Sequence, residues 1–211
     1  MKSLSSDLPD QYFISNFQNG EREAFKELFH RYKIKIYNLA LKILKNREEA
    51  EEISQEVFIK AFSSLNKFQG RSEFSTWIYR IAYNLCQDKI KIIRRVNQFH
   101  DSDIDQKEIL KLESNSNPEK ILQLKEICIK CVDFSENFVP YNQRVVLTLK
   151  DAYGLPNKQI ANILGCNVGT VKARLARARV KVKEFLMDTC EFINPQTTCK
   201  YLKEYKRKSL R

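Results

Sequence analysis

The chain has 211 residues, 43% of them hydrophobic, and a formal net charge of +11. That length accommodates one domain or two small ones, the apolar fraction excludes a disordered chain, and the charge favours a polyanionic partner through steering and counterion release. No stretch approaches the roughly eighteen apolar residues of a membrane-spanning helix, and MKSLSSDLPDQYF has no apolar run after its early Lys2, so neither a transmembrane segment nor a secretory signal is expected.

Only five glycines and five prolines punctuate the chain, and long runs without breakers predict an all-α fold. A cytoplasmic location follows as an expectation, with the six cysteines reduced. The first periodic segment covers residues 23–45. Phe25, Leu28, Phe29, Tyr32, Ile36, Leu39, Ala40 and Ile43 recur there at spacings of three and four, one apolar helix face, with Lys33, Lys35 and Lys42 off it. A second helix is predicted over 48–65, with Ile53, Val57, Phe58, Ala61, Phe62 and Leu65 as its stripe. Its start is acidic, at Glu48, Glu49, Glu51, Glu52 and Glu56. Acids there complement the helix dipole, and in so basic a chain they can also meet a basic partner protein.

Asn66, Gly70 and Ser72 mark a loop over 66–73, and a third helix is predicted over 75–95. Phe74, Trp77, Tyr79 and Tyr83 read first as core, although aromatics interleaved with Arg71, Arg80, Lys89 and Lys91 also suit stacking on unpaired bases. Residues 96–118 are polar and turn-rich and read as a flexible linker, which fully extended could span roughly 75 Å at about 3.3 Å per residue. The organisation expected is therefore two small helical domains, 11–95 and 119–187, joined by that linker and followed by a basic tail, 188–211. Within the second domain, helices are predicted over 119–134, 142–153 and twice between 157 and 187.

The strongest motif is NKQIANILGCNVGTVKARLARAR, residues 157–179. Asn157 is placed to cap a short helix whose inner face is Ile160, Ala161 and Leu164. Gly165 permits the left-handed conformation that ends a helix, and Asn167 can cap the next. Val171, Leu175, Ala178 and Val182 then define a buried side. At 100° per residue the opposite side carries Gly169, Lys172, Ala173, Ala176 and Arg177, with Arg174 and Arg179 flanking. Small residues let the backbone approach a groove wall, and the basic ones can donate to base edges or phosphates. Residues 156–183 hold seven Lys and Arg and no acid, whereas a merely solvated helix mixes signs. Helix, glycine turn and basic second helix fit a DNA-reading helix-turn-helix.

Cys128 and Cys131 form a C-x-x-C pair, but with Leu124 and Ile127 they follow a helical core spacing, so no metal site is expected there. Cys190 and Cys199 in the tail leave a metal- or redox-sensing tail as an alternative. Nucleophile–base pairs, phosphate loops and paired His ligands are absent from the sequence, so neither catalysis nor a cofactor is expected.

GLPNKQIANILGCNVGTVKARLARAR resembles region 4 of the extracytoplasmic-function (ECF) group of bacterial sigma-70 factors, and VPYNQRVVLTLKDAYGL is similar to the start of the same domain. AEEISQEVFIKAF resembles region 2.2, KFQGRSEFSTWIYRIAYN region 2.3 with its neighbouring loop, and NGEREAFKELFHRY the opening helix. The resemblance implies a promoter-specificity factor that binds core RNA polymerase through its beta-prime and beta subunits, reads the −35 and −10 promoter elements and helps melt DNA. It implies that Glu52, Gln55, Glu56 and Ile59 face polymerase. The −10 strand falls to Asn66, Lys67, Phe68, Gln69, Gly70, Arg71, Phe74, Trp77, Arg80 and Tyr83, with 66–73 holding a flipped base. Gly169, Thr170, Lys172, Ala173, Arg174, Ala176 and Arg177 are to enter the −35 major groove. An anti-sigma partner is implied by the resemblance alone. The competing reading is a helix-turn-helix regulator acting without polymerase, against which the acidic face and the aromatic loop-helix argue. Asn167 stands where Ser or Thr is common in the family, and Ala176 where a bulkier residue often sits.

Overall fold

The computed structural model describes residues 8–99 and 139–193. Every regular element among them is helical. Among the described residues, compactness separates two units that divide at Lys91/Ile92, Arg144/Val145 and Ala173/Arg174.

The first element, α1 (Asp10–Gln18), is absent from the sequence reading. It is nine residues long and follows Pro9, and only Phe13, Ile14 and Phe17 mark its buried face, too short a pattern to stand out. Tertiary contacts hold it. Tyr32 Oη donates to Asp10 Oδ2 at 2.5 Å, Arg31 pairs with Asp10 at 2.7 Å, and the Phe17 ring meets Phe62 at 5.1 Å and Phe25 at 5.9 Å. Burial, and then the Asp10 hydrogen bond, push the Tyr32 phenol far above its usual range, so it stays a donor.

Helix α2 (Phe25–Leu44) buries the expected face except Phe29, which is 37% exposed yet still meets the Phe58 ring at 4.7 Å. It ends at Lys45, a non-glycine in the left-handed region at φ 58°. Asn46 then caps α3 (Arg47–Ser64), its Oδ1 accepting from Glu49 N at 3.1 Å. Ala50, Ile53, Val57, Phe58 and Ala61 are the buried residues of α3, which packs extensively on α2. A 3-10 turn, Leu65–Lys67, tightens its end. Helix α4 (Phe74–Phe99) buries Phe74, Ile78, Tyr79, Ala82, Leu85 and Cys86, and runs on into the stretch expected to be linker.

In the later residues, α5 (Tyr141–Leu147) gives way to a π-helical turn, Thr148–Ala152, where one continuous helix is expected. Gly154 at φ 71° and Pro156 separate it from α6 (Asn157–Leu164), and α7 spans Val168–Ile193, beyond the expected end near 187. Two local expectations are corrected. Pro156 takes the N-cap position of α6, so Asn157 is the first helical residue and its side-chain oxygen is buried without a hydrogen-bond partner. The inner face of α6 is Ile160, Ala161 and Ile163, with Leu164 only half-buried, because Leu164 is the last residue before the chain turns at Gly165. The helix expected over 119–134, the linker beyond Phe99 and the side chains of Cys128, Cys131, Cys190 and Cys199 lie outside the described residues.

Candidate nucleic-acid interface

Three surfaces collect the singled-out residues. On α3, Glu52, Gln55, Glu56 and Ile59 follow i, i+3, i+4, i+7 spacing and so share one face. Glu52 and Gln55 are exposed, Glu56 is half-buried, and Ile59 is 68% exposed. An isoleucine that open to water, ringed by polar residues, offers a partner apolar area to cover. This face is also tied inward. Lys89 on α4 reaches Glu49 at 2.5 Å and Glu52 at 2.8 Å. The hydrogen bonds that Lys89 donates to Glu49 and then to Glu52 raise its pKa above the ordinary value. Lys89, one of the bases set among aromatics in the sequence, is therefore committed to carboxylates and clamps α4 to the start of α3.

The second surface is a cavity of about 350 Å³ lined by Lys60, Ser63, Ser64, Lys67, Phe68, Trp77 and Ile81, toward the small end of ligand pockets. Lys60 and Ser64, four apart on α3, form one wall, and Trp77 and Ile81, four apart on α4, form another. Phe68 closes them, its ring 5.1 Å from Trp77. Aromatic rings beside two lysines, with no carboxylate in the lining, suit an unstacked base and its phosphate. Lys60 is held at the rim by Glu56, at 2.9 Å across one helical turn. A second cleft, of about 420 Å³, has Asp10 and Glu73 among its lining residues, the wrong sign for a nucleic-acid strand.

The residues assigned to the −10 strand thus separate. Lys67, Phe68 and Trp77 line the cavity. Asn66, Gln69, Gly70 and Arg71 are exposed in the loop, with Gly70 at φ 66°, and Gly70 borders the acidic cleft instead. Phe74 is 3% exposed and sits beneath, its ring 5.3 Å from Tyr32, 5.6 Å from Trp77 and 6.1 Å from Phe68. It supports Phe68 and Trp77 and does not reach the surface. Arg80 is exposed and Tyr83 half-buried on α4, neither in the cavity lining. Lys60, Ser63, Ser64 and Ile81 escaped sequence reasoning. Their signal was the pair of i, i+4 spacings either side of the loop, at 60 and 64 and at 77 and 81.

The third surface is the outer side of α7. Val171, Leu175, Ala178 and Val182 are buried as expected. Gly169, Lys172, Ala173, Ala176 and Arg177 are exposed, and Thr170, Arg174 and Arg179 are half-buried at its edges. Gly165 adopts φ 62° and ends α6. Asn167 Oδ1 accepts from Thr170 N at 2.7 Å and Thr170 Oγ1 at 2.9 Å, so the cap and the first turn hold one another. A Cβ on Gly169 would stand 3.2 Å from that same Oδ1, so the tight cap and the bare backbone of Gly169 belong together.

Two family descriptions match parts of the chain. The family description Sigma-70 region 2 matches residues 28–96, and Sigma-70, region 4 matches residues 139–182. The chain is 33% identical over 183 residues to the RNA polymerase sigma-H factor of Pseudomonas aeruginosa, covering 84% of this chain and 93% of that protein. It is 33% identical over 185 residues to the ECF RNA polymerase sigma-E factor of Escherichia coli, covering 83% and 93%. Among solved structures, RpoE in complex with the anti-sigma factor NepR, from Bartonella quintana, superposes with a TM-score of 0.59 at 23% identity, covering 77% of this chain and 96% of that one. CnrH in complex with the cytosolic domain of CnrY gives 0.55 at 19%, covering 85% and 97%. At those identities the two structures establish a shared fold.

Proposed function

This chain belongs to the ECF group of the sigma-70 family and is a promoter-specific transcription initiation factor, and we propose that its three surfaces divide that work between polymerase, melted strand and duplex. The α3 face of Glu52, Gln55, Glu56 and Ile59 docks on core RNA polymerase, at its beta-prime subunit, with the beta subunit completing the contact. The cavity between α3 and α4 takes an unstacked −10 base, stacking it on Trp77 and Phe68 while Lys60 and Lys67 meet its backbone phosphates. Helix α7 enters the −35 major groove, where Lys172 and Arg177 donate to base edges and Arg174 to a flanking phosphate, with Thr170 holding the first turn in place.

The observation that carries this division is the cavity. A helix-turn-helix regulator working without polymerase needs only α6 and α7; an aromatic, lysine-rimmed hollow with room for a base serves a protein that takes a base out of the duplex. Trapping one base of each −10 element offsets part of the unstacking cost and so promotes melting. The chain does no catalysis of its own and acts in the cytoplasm; among the described residues, no helix is long and apolar enough to cross a membrane. Its release is controlled by an anti-sigma protein, a reading supported by the fold shared with two factors solved in complexes.

Run-off transcription with core enzyme on randomised promoters tests the proposal. Wild-type protein is expected to select two elements at a constant spacing. Ile59→Glu is expected to abolish retention by core while leaving −35 duplex binding intact. Retention of Ile59→Glu at wild-type strength would remove the α3 assignment, and failure of the wild-type chain to bind core would leave the polymerase-independent regulator.

A further inference from the structure

We propose that Gln18, at the end of α1, is a positioning residue for the −10 base cavity, so that α1 forms part of the strand-reading apparatus. The inference rests on the reading of that cavity as the base site. The family match to region 2 begins at residue 28, which leaves α1 outside it.

The Gln18 side-chain amide donates to two backbone carbonyls at the hinge of the loop, Leu65 O at 3.0 Å and Phe68 O at 2.9 Å. A carboxamide nitrogen carries two N–H donors, so both bonds form at once. These two carbonyls bracket the 3-10 turn Leu65–Lys67 at the end of α3, where carbonyls have run out of helical donors. Phe68 N already donates to Leu65 O at 3.0 Å, closing the turn from within. Gln18 closes it from outside. The side chains that leave this turn, Lys67 and Phe68, line the cavity, and the Phe68 ring packs against Trp77 at 5.1 Å.

Leu65 is buried and the Phe68 ring packs on Phe74 and Trp77, but the rest of the loop has little of its own to hold it. Asn66, Lys67, Gln69, Gly70 and Arg71 are all exposed, and a cleft of about 420 Å³ separates part of α1 from residues 70–75. A segment with few buried contacts opens readily. Helix α1, in contrast, is anchored at both ends. Asp10 accepts from Tyr32 and Arg31, and Phe17, adjacent to Gln18, packs its ring against Phe62 and Phe25. Gln18 therefore transmits the position of a fixed helix to the turn whose geometry decides whether Phe68 packs against Trp77.

The test uses full-length protein assembled with core polymerase, a labelled single-stranded −10 oligonucleotide and a −35 duplex, both selected beforehand by the wild-type holoenzyme from a randomised pool. Gln18→Glu keeps the shape and replaces both donors with a carboxylate facing two carbonyls. It is expected to weaken −10 strand binding about tenfold, the order of one to two neutral hydrogen bonds. Core affinity and −35 binding are expected to change by no more than about twofold, as for independent sites, and the thermal midpoint to fall by only a few degrees. Gln18→Lys, which restores an N–H donor, is expected to recover most of the loss. Trp77→Ala is run alongside. If Trp77→Ala loses the strand and Gln18→Glu does not, the positioning role is overturned and the cavity stands. If neither loses it, the cavity reading fails and this inference falls with it. If Gln18→Glu lowers strand, core and duplex binding together with the thermal midpoint, Gln18 only supports the fold and the proposal is overturned.

Discussion

The two surfaces proposed to read DNA, one for the −35 element and one for the −10 strand, are built in opposite ways. The −35 surface is one face of one helix, α7, with its cap supplied three residues away by Asn167. The −10 surface is assembled from the end of α3, a turn and the start of α4, over a bed of Phe74, with Gln18 reaching in from α1. A single-helix surface is set by 3.6-residue periodicity, so each side chain's direction is known once the buried stripe is known. An assembled surface depends on how separate elements pack, so its function can be lost from residues that never touch DNA.

The comparison breaks most visibly if the surfaces are not independent. The double change Lys172→Ala with Arg177→Ala removes two groove donors, each worth about 1–3 kcal/mol. It is expected to weaken −35 duplex binding by more than tenfold in a fluorescence titration, with −10 strand binding unchanged; unchanged −35 selectivity would refute the groove assignment. Trp77→Ala removes one stacking platform, about 1–3 kcal/mol. Permanganate footprinting of holoenzyme is expected to show reduced melting while −35 occupancy holds.

A smaller effect sharpens the single-helix side. Asn167→Ala deletes a cap and is expected to cost about 1 kcal/mol of stability, read as a lower midpoint in urea, with Asn167→Ser restoring most of it because serine accepts from the same N–H. The smallest is chemical. Burial pushes the Cys86 thiol from 9.0 up to about 12, so alkylating reagent near pH 8 is expected to label half-buried Cys166 and spare Cys86 in the native protein. Because the folded pKa lies above the unfolded one, the contribution of Cys86 to stability holds below about pH 9 and falls as pH rises from there toward 12. Early loss of native helicity below pH 9 would point to a different group.

The degree to which each region could be read in advance follows the same contrast. The buried stripe of α7, its exposed basic face, the left-handed Gly165 and the Asn167 cap all stand where periodicity and turn chemistry place them. The stripes of α2 and α3 do too, apart from Phe29 and Phe62, which sit at the edge of the core. The failures are positions where a neighbour overrides local preference. Asn157 yields the cap of α6 to Pro156, and a helix of nine residues goes unseen because tertiary contacts hold it.

The amino-acid sequence by itself determined that this protein is all-helical, that it carries a basic helix-turn-helix and an acidic, exposed α3 face, and to which family it belongs. Each of these is encoded in spacings within one element or in contiguous motifs. Only the tertiary structure decided that Lys60, Ser64 and Ile81 enclose a cavity with Phe68 and Trp77, that Lys89 is spent on Glu49 and Glu52, and that Gln18 grips the turn at Leu65 and Phe68. Those pairings join residues far apart in the chain, and no local periodicity records which helix faces which.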